Sequence, residues 1–131
     1  MYFKRSAFSL LEIILTLILL GILLSFALPK VFNYQQSACD KKLQLQVFNF
    51  KTALRTQIKT QNTQNPSIDL QKLYDTLDMH PSTCYFETQK NGFIGINQDK
   101  KVYFIIKNGI LECEHTKSAT LHNGESYCDI F

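Results

Sequence analysis

The first thirty residues and the next thirty are both rich in apolar side chains but distribute them differently. The run Phe8–Leu28 reads FSLLEIILTLILLGILLSFAL and is apolar all round any helix drawn through it. As an α-helix its 21 residues span about 31 Å, close to the roughly 30 Å hydrocarbon core of a bilayer. A core helix of a soluble protein is shorter and keeps a polar face, so lipid is the natural surrounding of this segment. After Pro29 the pattern becomes periodic. Leu43, Val47, Phe50, Leu54 and Ile58 recur at spacings of four, three, four and four, while Gln44, Gln46, Lys51, Arg55, Gln57 and Lys59 lie off that stripe. This is the signature of an amphipathic helix. One long helix is expected from near Phe8 to near Thr60, kinked at Pro29, which lacks an N–H and crowds the preceding turn.

Residues 60–65 (TQNTQN) are polar and run into Pro66, which predicts a loop. Asp69 is placed to cap a short helix through Leu77, with Leu70, Leu73 and Leu77 on one side and Pro81 beyond it. Four segments then carry aromatic and β-branched residues: Cys84–Thr88, Phe93–Asn97, Val102–Lys107 and Ile110–His115. Three of the five glycines follow asparagine, at Asn91-Gly92, Asn108-Gly109 and Asn123-Gly124, and that dipeptide favours tight hairpin turns. The expected architecture is α+β: a long N-terminal helix, transmembrane over 8–29 and amphipathic over 30–59, packed on a small antiparallel β-meander within a globular region, 60–131.

Composition narrows the reading. A chain of 131 residues has room for one domain, and 45% apolar with 19% charged residues excludes wholesale disorder. The net charge of +3 is too mild to argue for nucleic acid by itself. Lys4 and Arg5 precede the apolar run and only Lys30 closely follows it. The positive-inside rule then keeps the N-terminus cytoplasmic and exports the rest. A cleaved secretory signal is one alternative, with Ser25-Phe26-Ala27 as a small-x-small site, but the apolar run exceeds the usual stretch of about 7–15 residues. A simple anchor is another. Neither accounts for Glu12, the only charged residue between Arg5 and Lys30. A carboxylate there costs a few kcal/mol on insertion scales and marks a function by default.

Ser6-Ala7-Phe8-Ser9-Leu10-Leu11-Glu12 resembles the processing site of type IV prepilins and pseudopilins. That family pattern has a short basic leader, a small residue before the cut, a hydrophobic first mature residue and glutamate at the fifth mature position. Counted from Phe8, Glu12 is fifth, Gly21 fourteenth and Pro29 twenty-second, where the family tends to carry Gly and Pro; Ala7 stands where Gly is usual. The resemblance implies that residues 1–7 are a leader, cut between Ala7 and Phe8 by a prepilin peptidase that methylates the new amine. It implies a pilin-like fold and an assembly helix including Phe8, Glu12, Gly21 and Pro29. The amine of Phe8 would pair with Glu12 of a neighbouring subunit and fix axial register. The implied partners are other pilin or pseudopilin subunits, an inner-membrane assembly platform and the lipid bilayer. The implied location is the bacterial inner membrane, single-pass with the C-terminal domain in the periplasm, and then a periplasmic or surface filament. The implied role is structural, in type II secretion, DNA uptake or a pilus. Without Lys4 and Arg5 the 14 basic residues become 12 against 11 acidic ones, which suits dense packing.

A globular region this small usually needs staples, and all four cysteines fall on the exported side. Three pairings are possible. The favoured one joins Cys113 to Cys128, closing a C-terminal loop, and Cys39 to Cys84, tying the long helix to the first strand. A zinc site from Cys113, His115, His122 and Cys128 is the rival, but its spacing is not a familiar zinc pattern. Asp99, Asp129 and backbone carbonyls could bind calcium, but no ligand series is visible; no metal or other cofactor is expected. Lys51, Arg55 and Lys59 form a basic ridge at i, i+4, i+8 for an acidic neighbour or DNA phosphates, with a solvated face as the plainer reading. No H-E-x-x-H, G-x-S-x-G or Gly-rich phosphate loop is present, and no enzyme is expected. His80, His115 and His122 read as surface residues, and Glu112 and Glu114 as a solvated strand face. The alternative functions are a minor pilin that binds DNA or surfaces, and an unrelated monotopic envelope protein.

Overall fold

The computed structural model describes residues 9–61 and 67–131. The expected processing junction Ala7-Phe8, the expected leader with Lys4 and Arg5, and Pro66 lie outside the described residues.

Helix α1 runs Leu10–Thr60 without a break at Pro29. It starts where Ser9 accepts the Glu12 N–H at 2.9 Å on its carbonyl and 3.3 Å on its hydroxyl. Ser9-x-x-Glu12 is the sequence of a capping box, whose serine half this is. The chain divides into two compact units, Met1–Gln35 and Gln36–Phe131.

In the first unit every described residue is exposed, its large apolar side chains from Ile14 at 49% to Leu10 at 77%. Two of its hydroxyls bond back to the helix: Thr16 Oγ1 donates to the Ile13 carbonyl at 2.8 Å and Ser25 Oγ to that of Gly21 at 2.9 Å. Hydroxyls satisfied in this way keep the surface of the segment apolar.

The second unit is the α+β body. Its sheet has the order β1-β2-β3-β4, all antiparallel, over β1 Cys84–Gln89, β2 Gly92–Asn97, β3 Lys100–Lys107 and β4 Ile110–Cys113. The α1 stripe Cys39, Leu43, Val47, Phe50 and Leu54 is buried, and Ile58 packs against the same core. Opposite it stand Phe86, Phe93, Val102, Phe104 and Leu111 of the sheet. The aromatic rings form a chain: Phe50–Phe93 at 4.7 Å, Phe93–Phe86 at 5.4 Å, Phe93–Phe104 at 5.0 Å and Phe104–Phe131 at 5.3 Å. Offset and edge-on rings at these distances add packing energy beyond their area.

Three expectations are corrected. The short helix α2 is Leu70–Tyr74, not a helix to Leu77. Asp69 caps it as predicted, accepting the Lys72 N–H at 3.2 Å. Thr76 and Leu77 then bond back only three residues, to Leu73 and Tyr74. That tight turn still buries Leu77 at 6% exposure. It also frees Asp78, whose N–H goes to Gln46 Oε1 at 2.8 Å and whose carbonyl takes the Phe86 N–H at 2.8 Å. Strand β4 ends at Cys113 rather than His115, because the Glu114 carbonyl accepts the N–H groups of Lys117 and Ser118 and starts a turn. Glu112 and Glu114 therefore do not alternate along one strand. The hairpins use the Asn-Gly pairs unequally. Asn108 (φ +51°) and Gly109 (φ +76°) form the whole β3–β4 loop. The β1–β2 loop is Lys90-Asn91, with Gly92 already in β2, and the β2–β3 loop is Gln98-Asp99, with Gln98 at φ +56°.

Candidate assembly helix and its clamps

The candidate site is the exposed face of α1 around Glu12. Glu12 lies in the first turn, flanked by Leu11 at 76% and Ile13 at 50% exposure. No side-chain hydrogen bond or ion pair engages its carboxylate among the described residues, and the helix from Leu10 to Leu28 holds no Lys, Arg or His. Gly21 faces open space: a Cβ built on it meets nothing within 4 Å. A glycine with nothing above it in its own chain is a place where another helix can approach closely. Pro29 sits inside the helix, where its absent N–H leaves one carbonyl of the preceding turn without its partner. This helix is long and apolar enough to cross a membrane.

Both disulfides hold the second unit together. Cys39 is bonded to Cys84, joining α1 to the start of β1, and Cys113 to Cys128, joining β4 to the 3₁₀ turn Tyr127–Ile130. Their Cα separations are 5.7 Å and 5.8 Å, ordinary for disulfides. With both sulfurs of Cys113 and Cys128 in a disulfide, the zinc alternative loses its thiolates. Among the described residues no three His, Cys, Asp or Glu side chains gather as a metal site. Ser118 sits against the second bridge, its Oγ 3.3 Å from Cys128 Sγ, accepting the Tyr103 N–H at 3.0 Å and donating to the Glu114 carbonyl at 2.8 Å.

Beside the Cys39–Cys84 bridge lies a polar clamp with no signal in the sequence. Tyr127 and Asn97 are almost completely buried. The Tyr127 hydroxyl donates to Asp40 Oδ1, and Asn97 Nδ2 donates to the same oxygen at 2.7 Å and to the Gln36 carbonyl at 3.0 Å. Burial first, then the bond to Asp40, pushes the Tyr127 hydroxyl well above the usual tyrosine range. A second clamp pairs Lys42 Nζ with Asp78 Oδ2 at 2.5 Å. The bonds from Lys42 and from the His80 N–H hold the Asp78 carboxyl down at about 2. Because these partners are 36 to 87 residues apart in sequence, no local pattern announces them.

The basic ridge is not three equivalent cations. Lys51 Nζ donates to the Phe131 carbonyl at 3.1 Å. Arg55 and Lys59 are exposed and have no hydrogen-bond partner among the described residues. Lys51 and Arg55 border a cleft of about 370 Å³ with Leu54, Gly109, Ile110 and Leu111. Two further apolar residues off the core stripe, Leu45 at 61% and Phe48 at 64%, stand exposed one turn apart on α1.

Neither a family model, nor a curated protein, nor a solved structure matches the chain.

Proposed function

We propose that this chain is a structural subunit, a pilin or pseudopilin, of a type IV pilus-like filament in type II secretion or DNA uptake. The supporting observation is that the first half of α1 is wholly exposed, mostly apolar and carries one carboxylate, Glu12, the fifth residue counted from Phe8 of a small-hydrophobic Ala7-Phe8 pair. A carboxylate in lipid persists when a partner offsets its desolvation. The span from Phe8 to Leu28 holds no Lys, Arg or His; in this reading the cation is the amine that cleavage would create on Phe8, presented by a neighbouring copy. In this reading the first half of α1 anchors the subunit in the inner membrane and then lines the filament, Gly21 allows close approach of a neighbour, and the second unit faces the periplasm. The subunit acts by assembly and not by catalysis.

Mass spectrometry of the mature protein is expected to find Phe8, N-methylated, at the N-terminus, and Glu12→Leu to insert in the membrane but drop out of sheared filaments. An N-terminus at Leu28 would establish a secretory signal and overturn the proposal. Assembly of Glu12→Leu at the wild-type level would remove the register role.

A further inference from the structure

We propose that Asn108 is a self-modification site: attack by the Gly109 backbone nitrogen strips its side-chain amide and leaves aspartate or isoaspartate at the tip of the β3–β4 hairpin. The Gly109 amide nitrogen gives its proton to hydroxide and bonds to Asn108 Cγ. The Cγ–Nδ2 bond breaks and ammonia leaves, which closes a five-membered succinimide. Water then opens the ring at either carbonyl, giving aspartate, or isoaspartate with the main chain running through Cγ. The net change is amide plus water to carboxylate plus ammonium, with no redox partner.

The chain has three Asn-Gly pairs with the same intrinsic chemistry, and the fold treats them differently. Gly92 is the first residue of β2, buried and paired with Gln89 on one side and Ile105 on the other, and the Asn91 carbonyl takes the Ile106 N–H at 2.7 Å. Its nitrogen and the preceding peptide are fixed in the ladder. Asn123-Gly124 is the most exposed pair, but the Gly124 N–H already donates to the Leu121 carbonyl at 3.0 Å. The Asn123 side chain is held at both ends by Glu125, Nδ2 to Oε2 at 2.7 Å and Oδ1 from the Glu125 N–H at 3.2 Å. At Asn108-Gly109 both reacting groups are free. Asn108 is exposed, its amide makes no hydrogen bond, and the Gly109 N–H has no acceptor among the described residues. The site is therefore not the most exposed Asn-Gly pair but the one whose nucleophile and electrophile are unengaged.

The product changes a defined place on the surface. A carboxylate at 108 adds negative charge next to the cleft that Gly109 and Ile110 share with Lys51 and Arg55. Isoaspartate lengthens the main chain inside a two-residue loop, which opposes the Lys107↔Ile110 pairing that closes the hairpin.

The test ages the full chain in detergent at mildly alkaline pH in ¹⁸O-water and maps peptides by mass. The Asn108 peptide should gain label several-fold faster than those of Asn91 and Asn123. In urea with both disulfides reduced, the three rates should converge. Gly109→Ala is not a clean block, since φ is +76° and its Cβ would lie 2.8 Å from Ile58 Cδ1. Asn108→Gln is cleaner: it moves the amide one bond away, and Gln98 already holds φ +56° in the adjacent hairpin. That variant should lose the label at 108 and leave the other two rates unchanged. First reaction at Asn123 or Asn91, no reaction at 108 in the folded protein, or the same rate order folded and unfolded would each overturn the proposal.

Discussion

One helix contains two regions that solve the problem of apolar surface in opposite ways. From Leu10 to Gln35 no residue of α1 is buried, although most are apolar. From Gln36 to Thr60 a residue of the stripe disappears from solvent every three or four positions, and Leu43 and Phe50 reach 0% exposure. Secondary structure does not distinguish the two regions; periodicity does. A stripe specifies a partner within the chain, while a uniform apolar surface leaves its partner to lipid or another molecule. The difference separates stability from assembly. The core, both disulfides and both polar clamps belong to Gln36–Phe131, so damage there should unfold a body and leave the exposed half of α1 unaffected.

The strongest test of that separation is a matched pair of truncations in α1. Phe50 packs at 4.7 Å from Phe93 and 6.3 Å from Tyr74, so Phe50→Ala should cost about 3–5 kcal/mol. Leu17, exposed at 63%, should cost nothing measurable when changed to alanine. Urea unfolding of the body Gln36–Phe131 in detergent reads both, and under the proposed function carbonate extraction should find both variants still in the membrane. A large loss of stability from Leu17→Ala would break the division.

The disulfides sharpen the comparison within the body. Loop entropy grows with the span closed, 45 residues for Cys39–Cys84 and 15 for Cys113–Cys128. Serine replacement of each pair should cost about 4 and about 3 kcal/mol respectively. Equal costs would mean that the unfolded chain is already compact around Cys39 and Cys84. Denaturation under non-reducing conditions separates the two variants.

What the sequence made legible follows the same division. The α+β class, the stripe from Leu43 to Leu54 and the four strands rest on periodicity and β-branched residues, which are local. The cysteines allowed three pairings, and topology favoured the two bridges the structure contains. The Gln98-Asp99 turn carries no signature because Gln is not a turn residue, and α2 stops at Tyr74 because Thr76 and Leu77 bond back only three residues. The Asp40–Tyr127–Asn97 clamp had no signal at all. The start of α1 is half visible: Ser9 lies in the stretch that resembles a processing motif, and its hydroxyl also accepts the Glu12 N–H.

That clamp gives the next effect in size. Tyr127→Phe removes one hydrogen bond to a carboxylate and should cost about 1.5–3 kcal/mol. It should also flatten the alkaline fall in stability. The folded state holds the Tyr127 hydroxyl above its ordinary value of 10.0, so the stabilisation is full below pH 10 and is lost as pH rises above it. The wild type should therefore lose stability more steeply than Tyr127→Phe above pH 10. Parallel curves would mean that the hydroxyl ionises as freely folded as unfolded.

The smallest effect should come from the more exposed clamp, Lys42–Asp78. The folded state lowers the Asp78 carboxyl from 3.8 to about 2. A depressed carboxyl contributes stability that is present above the unfolded value and lost as pH falls, so the window lies between about pH 4 and pH 2. Side chains 40% and 30% exposed are screened by water and salt, which limits the contribution to about 0.2–1 kcal/mol. Lys42 is the first cause of the shift and the His80 backbone N–H, at 3.1 Å, the second. Lys42→Met should therefore cut the acid loss of stability without abolishing it, and added salt should shrink the wild-type loss toward that of the variant. An unchanged acid slope in Lys42→Met would move the clamp to the backbone around His80 and leave the lysine as a tether for the Cys84 carbonyl, which its ammonium also reaches at 3.3 Å.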